Sequence, residues 1–211
     1  MTAANSQTGQ IIFLNGTSSS GKSSIAKALQ EILERPFMHT GIDHFLERFP
    51  RPLFVYSDGE TPTTADGWLL VFRNSRFIRS QIGPAGVRVL AGMYSAFAVL
   101  SRSGIDLIVD DVIYDPRVLR AAVETLADLP VYFVGVRIPL EVAEECENLR
   151  DDRYPGGAKF FGERVHQNTI YDFEVDTGKF SAEECAAEIK TWLLGSPRPG
   201  AFLRERLKTQ T

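Results

Sequence analysis

The chain has 211 residues, 44% hydrophobic and 24% charged, the make-up of one globular domain large enough to bury its own core. Its formal net charge of −4 gives no electrostatic footprint for duplex nucleic acid, and Cys146 and Cys185 form no C-x-x-C pair that would suggest a zinc site or a disulfide framework. The polar N-terminal stretch lacks the apolar centre of a secretory signal, and no run of about 18 apolar residues suggests a membrane span, so neither a membrane nor a nucleic-acid partner is expected and the expected compartment is the cytoplasm.

The first organised stretch is an apolar run, Ile11 to Leu14, that breaks at Asn15-Gly16. Gly16-Thr17-Ser18-Ser19-Ser20-Gly21-Lys22-Ser23 then matches G-x-x-x-x-G-K-[ST], and Ser24 opens a helical pattern through Ile25, Leu29, Ile32 and Leu33. The helix is predicted from Lys22 to about Glu34, with Pro36 as its stop. Strand, loop and helix in this order are the context a phosphate-binding loop requires, which a chance Gly/Ser-rich turn would lack. Gly16 and Gly21 let successive backbone N–H groups turn inward around phosphate oxygens, and the helix N-terminus adds its positive dipole end. Lys22 is placed to reach the β- and γ-phosphates of a nucleoside triphosphate, and the Ser23 hydroxyl to ligate Mg²⁺.

Phe37 to Thr40 reads as a second strand ending at Gly41-Ile42-Asp43, and Asp43 to Phe49 as one or two helical turns. Residues 50–83 change character: Pro50, Pro52 and Pro62 surround short β-like pieces, Leu53 to Tyr56 and Trp68 to Phe72. This stretch reads as an insertion, either a lid or acceptor wall or an edge decoration. Pro84 to Arg102 is a helix closed by Gly104, in which Met93, Tyr94 and Phe97 fit a core face better than a ligand pocket. Leu107-Ile108-Val109-Asp110-Asp111 suits a strand buried on both faces and ending in acids. A helix (Pro116 to Leu126), a strand (Val131 to Arg137) and a helix (Pro139 to Leu149) follow. Residues 149–168 are charged and glycine-rich, then helical from Lys159, and read as a lid. Phe173 to Asp176 is a last strand, Ala182 to Leu194 a last amphipathic helix, and residues 195–211 a tail expected to pack late or fray. Strands alternating with helices predict a single α/β domain with a parallel sheet and ligands at the carboxyl ends of its strands.

Three segments that carry chemistry end at that edge. Asp110 and Asp111 fit the acid-after-strand pattern that holds Mg²⁺ or its water shell, against a plainer role as caps of the next turn. Asp43 stands where a substrate hydroxyl would approach, and an acid there accepts the hydroxyl proton; the plainer reading is an N-cap for a helix beginning at His44. Arg150 and Arg153, in a stretch of mobile composition, are candidates to stabilise charge on the transferring phosphoryl group. His39, His44 and His166 show no metal-ligand spacing, although His44 adjoins Asp43.

With these residues in view the chain resembles the chloramphenicol phosphotransferase family of P-loop kinases. The resemblance rests on Leu14 to Ser23, Gly41-Ile42-Asp43, Ile108 to Val112, Val134 to Arg137, Arg150 to Arg153 and Tyr171-Asp172-Phe173-Glu174-Val175-Asp176-Thr177, in that order. It implies a P-loop NTPase fold of the nucleotide and shikimate kinase kind, with a five-stranded parallel sheet flanked by helices. It also implies ATP with Mg²⁺ and transfer to a hydroxyl of a small molecule, chloramphenicol or a related antibiotic among them. Asp43 matches the family's base, Lys22 and Ser23 serve phosphate and metal, Arg150 and Arg153 match lid arginines, and Asp176-Thr177 is expected near the adenine. The chain departs from the pattern at His44, where a small residue is expected, and across residues 50–83, which should shape the acceptor pocket.

Other acceptors fit the same motifs: a sugar, a nucleoside or nucleotide, or a shikimate-like metabolite. A phosphorylated acceptor would need a cationic wall, for which Arg48, Arg51, Arg73, Arg76 and Arg79 are candidates. A regulatory ATPase that transfers phosphate only to water is the reading from another class, and it would leave Asp43 idle.

Overall fold

The computed structural model describes residues 8–58, 65–150, 154–195 and 198–208. In chain order the elements are β1 (Ile11–Asn15), α1 (Lys22–Ile32), β2 (Phe37–Gly41), α2 (Ile42–Leu46), a 3-10 turn (Arg51–Leu53), β3 (Phe54–Ser57), β4 (Trp68–Arg73) and β5 (Arg76–Ile82). They continue with α3 (Pro84–Arg102), β6 (Asp106–Asp111), α4 (Pro116–Leu126), β7 (Val131–Arg137), α5 (Leu140–Asn148), α6 (Gly157–Gly162), β8 (Phe173–Asp176), α7 (Ala182–Gly195) and α8 (Ala201–Lys208).

Five strands form an all-parallel sheet in the order β2-β6-β1-β7-β8. Every residue of β1 is buried because strands flank it on both edges and helices cover both faces. Alternation along the strand divides the core in two. Ile11 and Phe13 join Leu107, Val109, Val131 and Phe133 in one apolar layer, while Ile12 and Leu14 join Ile108, Val134 and Val136 in the other. The first layer packs beneath α3, α4 and α8, and the second beneath α1 and α7. A five-stranded parallel sheet flanked by helices is what the family resemblance implied. Because β6 lies between β1 and β2, the chain leaves β1 and returns two positions away, and a crevice opens at the carboxyl ends of the strands.

A second sheet, β3-β4-β5, comes from the segment read as an insertion. β5 escaped the sequence reading. Asn74 and Ser75 both take positive φ, 49° and 56°, and make the two-residue hairpin turn between β4 and β5 without the Asn-Gly pair that usually signals one. β3 then pairs with β4 in parallel, Phe54 opposite Trp68.

The C-terminal stretch also differs from expectation. It does not fray over 201–208 but forms α8, with Ala201 and Phe202 buried. The Phe202 ring centroid lies 4.9 Å from that of Phe133 and 5.7 Å from that of Phe13. The helix start is held from another part of the chain: Asp172 Oδ1 accepts from the N–H groups of Gly200 (2.9 Å) and Ala201 (2.7 Å). Glu205, itself buried, accepts from Ile170 N–H at 2.5 Å. By length and composition α3 is apolar enough to cross a membrane, but Leu90, Met93, Tyr94, Phe97 and Ala98 pack into the core. Cys185 is buried on α7 and Cys146 half-buried on α5, both as free thiols.

Replacing Phe202 by Ala removes a ring from a closed aromatic layer and is expected to lower the unfolding free energy by about 3 kcal/mol or more. Urea unfolding measures it; a change within about 0.5 kcal/mol, the range of an ordinary surface substitution, would show that α8 does not contribute to the core.

Candidate active site

The phosphate loop runs from the end of β1 to the start of α1. Two left-handed residues shape it, Ser19 (φ 60°) and Gly21 (φ 81°). Lys22 is buried, and its Nζ donates to the carbonyls of Gly16 (3.0 Å) and Thr17 (2.7 Å). Two bonds tie the loop to its surroundings: Thr17 Oγ1 donates to Ala158 O (2.9 Å), and Thr177 Oγ1 donates to Ser20 O (3.0 Å). Thr177 therefore braces the loop, whereas Asp176 pairs with Lys179 and caps Gly178 N–H.

Strand pairing brings Asp110 to this loop. Gly41 of β2 stands opposite it in the sheet, where a Cβ would come within 2.0 Å of Asp110 O, so only glycine permits so close an approach. Ser23 Oγ donates to Asp110 Oδ2 at 2.5 Å, Lys22 Nζ lies 3.9 Å from Oδ1, and His39 Nε2 lies 3.7 Å from Oδ2. Burial alone would raise the Asp110 carboxyl, but His39, the Lys22 charge and the Ser23 hydroxyl hold it below the ordinary carboxylate value. Asp111 points to the opposite face of the sheet. It accepts from Tyr94 O–H (2.8 Å) and Val112 N–H (2.7 Å), and burial pushes its carboxyl up to about 7. The structure thus separates the two acids, bringing Asp110 to Ser23 and Lys22 and leaving Asp111 beneath α3.

A cavity of about 540 Å³ opens over the loop, lined by Ser18 to Ser24, Asp43, Asp110 and Arg150. Asp43 is the second residue of α2, which starts at Ile42 after Gly41, so it does not cap a helix beginning at His44. Facing the loop is a wall built largely of aromatic rings from the second sheet, Phe54, Tyr56, Trp68, Phe72 and Phe77, joined by Tyr114 and Tyr154. Arg48, Arg51, Arg73, Arg76 and Arg79 are all exposed, and none is among the residues that line the cavity. The cationic wall expected for a phosphorylated acceptor is therefore not formed. In β5 Phe77, Ser80 and Ile82 are buried while Arg76 and Arg79 are exposed; the ladder with β4 shifts register at Val71/Phe72, so Phe77 and Arg79, two residues apart, do not share a face. Arg153 lies outside the described residues.

Two observations test the fit of a nucleotide and its metal. Among the described residues Ser19 Oγ is a buried hydroxyl without a hydrogen-bond partner, inside a loop whose backbone turns N–H groups inward; a phosphate oxygen satisfies such a group. No group of three or more His, Cys, Asp or Glu among the described residues could hold a metal by itself. That suits Mg²⁺, which binds through one or two protein oxygens with phosphate and water supplying the rest, and Ser23 with Asp110 offers such a pair. A residue that the sequence did not single out supports the edge of the cavity. Glu147, 2% exposed and near the end of α5, lines the cavity and accepts from two backbone N–H groups.

His166 stands behind the loop, its Nδ1 2.8 Å from Tyr171 Oη, and Tyr171 Oη accepts from Asn15 Nδ2 at 2.9 Å. Burial and the charge of Arg137 push the imidazole down to about 4. His39 and His44 meet edge to face at 6.0 Å.

A family model described as "chloramphenicol phosphotransferase-like protein" matches residues 9–193. A protein of Mycobacterium tuberculosis (strain H37Rv), named provisionally as an O-phosphotransferase, is 32% identical over 209 residues, covering 94% of this chain and 88% of its own. Among solved structures, the tunicamycin resistance protein of Deinococcus radiodurans superposes with a TM-score of 0.60 at 19% identity, over 90% of this chain and 98% of that one. The APS kinase of Mycobacterium tuberculosis, solved with AMPPNP and APS, gives 0.60 at 17% identity over 90% and 99%. The shikimate kinase of Acinetobacter baumannii, solved with shikimate, gives 0.53 at 16% identity over 90% and 95%. At these identities the structural neighbours establish the fold.

The depressed His166 makes a pH prediction. Below about 6.5 the unfolded chain takes up a proton at this residue that the folded protein refuses until about 4, so stability rises with pH across that window and is lost as pH falls through it. Thermal unfolding of His166→Gln from pH 4 to pH 7 should show a flatter profile than the parent protein; identical profiles would refute the assignment.

Proposed function

The chain belongs to the chloramphenicol phosphotransferase-like family and is a P-loop kinase with an alcohol acceptor; from that premise we propose that it transfers the γ-phosphoryl group of ATP to a hydroxyl on a small molecule with an aromatic or largely apolar body. The observation that carries the acceptor class is the shared cavity. Asp43 and the phosphate loop form one side of it, and the rings of β3, β4 and β5 face them. Chloramphenicol and related antibiotics have this shape and are the first compounds to test.

Asp43 takes the proton of the acceptor hydroxyl as its oxygen forms the new bond to phosphorus and the bond to the β-phosphate oxygen breaks, leaving ADP. Lys22 offsets charge at the β- and γ-phosphates, and Arg150, at the cavity wall, adds a second cation as charge moves to the leaving group. Ser23 and Asp110 would hold Mg²⁺, which when bound neutralises charge across the same two phosphates. Asp111, directed away from the loop, belongs to the support of β6 and Tyr94.

The wall weighs against the other acceptors. A phosphorylated acceptor needs cations, and none of the five candidate arginines lines the cavity. A polyol needs many hydrogen-bond partners, which ring faces do not supply. A phosphate-to-water switch would give an aromatic wall and Asp43 nothing to act on.

ADP release should rise with aromatic alcohols, chloramphenicol included, and not with sugars, sugar phosphates or nucleoside monophosphates, with Lys22→Ala as the blank. Stimulation by phosphorylated acceptors alone, or a rate that ignores every alcohol, would overturn the acceptor class. Asp43→Asn should lower kcat by about 100-fold or more with an unchanged melting temperature; equal turnover would remove Asp43 from the chemistry.

A further inference from the structure

Glu147 is a buried carboxylate that the phosphoryl-transfer reading does not use. Its Oε2 accepts from Gly156 N–H at 2.7 Å and its Oε1 from Ala158 N–H at 2.8 Å. These bonds pin the middle of a five-residue strip, Tyr154 to Ala158, that touches both halves of the site. At one end the Tyr154 ring lies 4.9 Å from that of Phe72 on the aromatic wall. Next to it, Pro155 O accepts from Phe77 N–H at 2.8 Å, so the strip is bonded to the backbone of β5. At the other end, Ala158 O accepts from Thr17 Oγ1 of the phosphate loop. The strip has little slack. Gly156 has φ 110°, with Phe77 O only 2.4 Å from where a Cβ would stand, and a Cβ on Gly157 would lie 2.9 Å from Glu147 Oε1.

We propose that Glu147 is a positioning residue that holds this strip in register, so that binding at the phosphate loop is felt at the aromatic wall. The chemistry suits a carboxylate. Each of its two oxygens accepts one N–H group of the strip, and charge-assisted bonds of this kind are stronger than neutral ones. A glutamine keeps the volume but presents an NH₂ to one N–H, and the strip loses an anchor. The acceptor wall and the triphosphate site would then respond to their ligands independently. The proposal rests on the kinase reading only in taking the phosphate loop as a nucleotide site.

Trp68 on the wall reports on this coupling without an identified acceptor. The other tryptophan, Trp192, stacks on Phe173 across the sheet and is removed as Trp192→Phe. In that background, Mg²⁺ with β,γ-imido-ATP is expected to change Trp68 fluorescence. Adding Glu147→Gln should cut that change by about threefold or more while the nucleotide dissociation constant, from calorimetry, stays within about threefold. Glu147→Asp, which keeps both oxygens, should restore part of the signal. A full Trp68 response in Glu147→Gln, or none in the parent, overturns the coupling. A parent protein that does not bind the nucleotide overturns the kinase reading instead. If Glu147→Gln does not fold, Tyr154→Leu releases the wall end of the strip and should lose the signal in the same way, with the nucleotide dissociation constant measured alongside; an unchanged signal there also overturns it.

Discussion

The pairing of β1 with β6 decides which of two adjacent acids meets the phosphate loop. Leu14 stands opposite Asp110 and Asn15 opposite Asp111, and side chains alternate across the sheet. Asp110 therefore shares the face of Ile108 and Leu14, the face from which α1 rises, and meets Ser23 and Lys22. Asp111 shares the face of Val109 and reaches Tyr94. A shift of one residue in this register would exchange them and put the carboxyl raised by burial against the lysine. Five buried positions in β1 prevent that shift, because it would also turn Phe13 out of the aromatic layer it shares with Phe133 and Phe202.

Most of the main sheet was legible because its signals are local. Ile11 to Leu14, the glycines at 16 and 21, and Lys22 to Leu33 state strand, loop and helix within two dozen residues, and β6 and β7 carry apolar runs of their own. What could not be read depends on partners far along the chain. The start of α8 is capped by Asp172, which lies 28 residues before Gly200, so its own sequence lacks the usual helix-start residues beside Pro197 and Pro199. β5 is announced by Asn74-Ser75, a pair that is ordinary in any loop. The five arginines looked like a wall in one dimension, whereas a register shift in the β4–β5 ladder, which no local signal announces, leaves Arg76 and Arg79 exposed beside buried Phe77 and Ser80. Glu147 carries no motif at all; its role comes from N–H groups nine and eleven residues later.

The small sheet gives the cavity a character that the nucleotide machinery does not determine. Phe72 meets Tyr154 and Phe77, and Phe77 meets Phe160 and Phe161 of α6, so rings run without a break from the second sheet to the segment beside the phosphate loop. Near the end of this path, Trp68 Nε1 and Tyr114 Oη both find the Ser80 hydroxyl at 2.6 Å, which satisfies their polar ends while their faces stay apolar. On the reading proposed above, substitutions in this surface would alter which alcohol fits without touching Lys22, Ser23 or Asp110.

The position of α8 in the chain also bears on how the protein is made. All five strands of the main sheet precede it, and the layer containing Phe13 and Phe133 is covered only once Phe202 has arrived. A chain emerging from the ribosome can pair β1 with β6 and β7 and still present those two rings to water. The first turn of α8 must then close over a long stretch of chain to reach β1, a closure of high contact order. The nascent chain consequently carries an open aromatic seam until synthesis has passed residue 202, and that seam is where a holding chaperone, or a second unfinished copy, would find it.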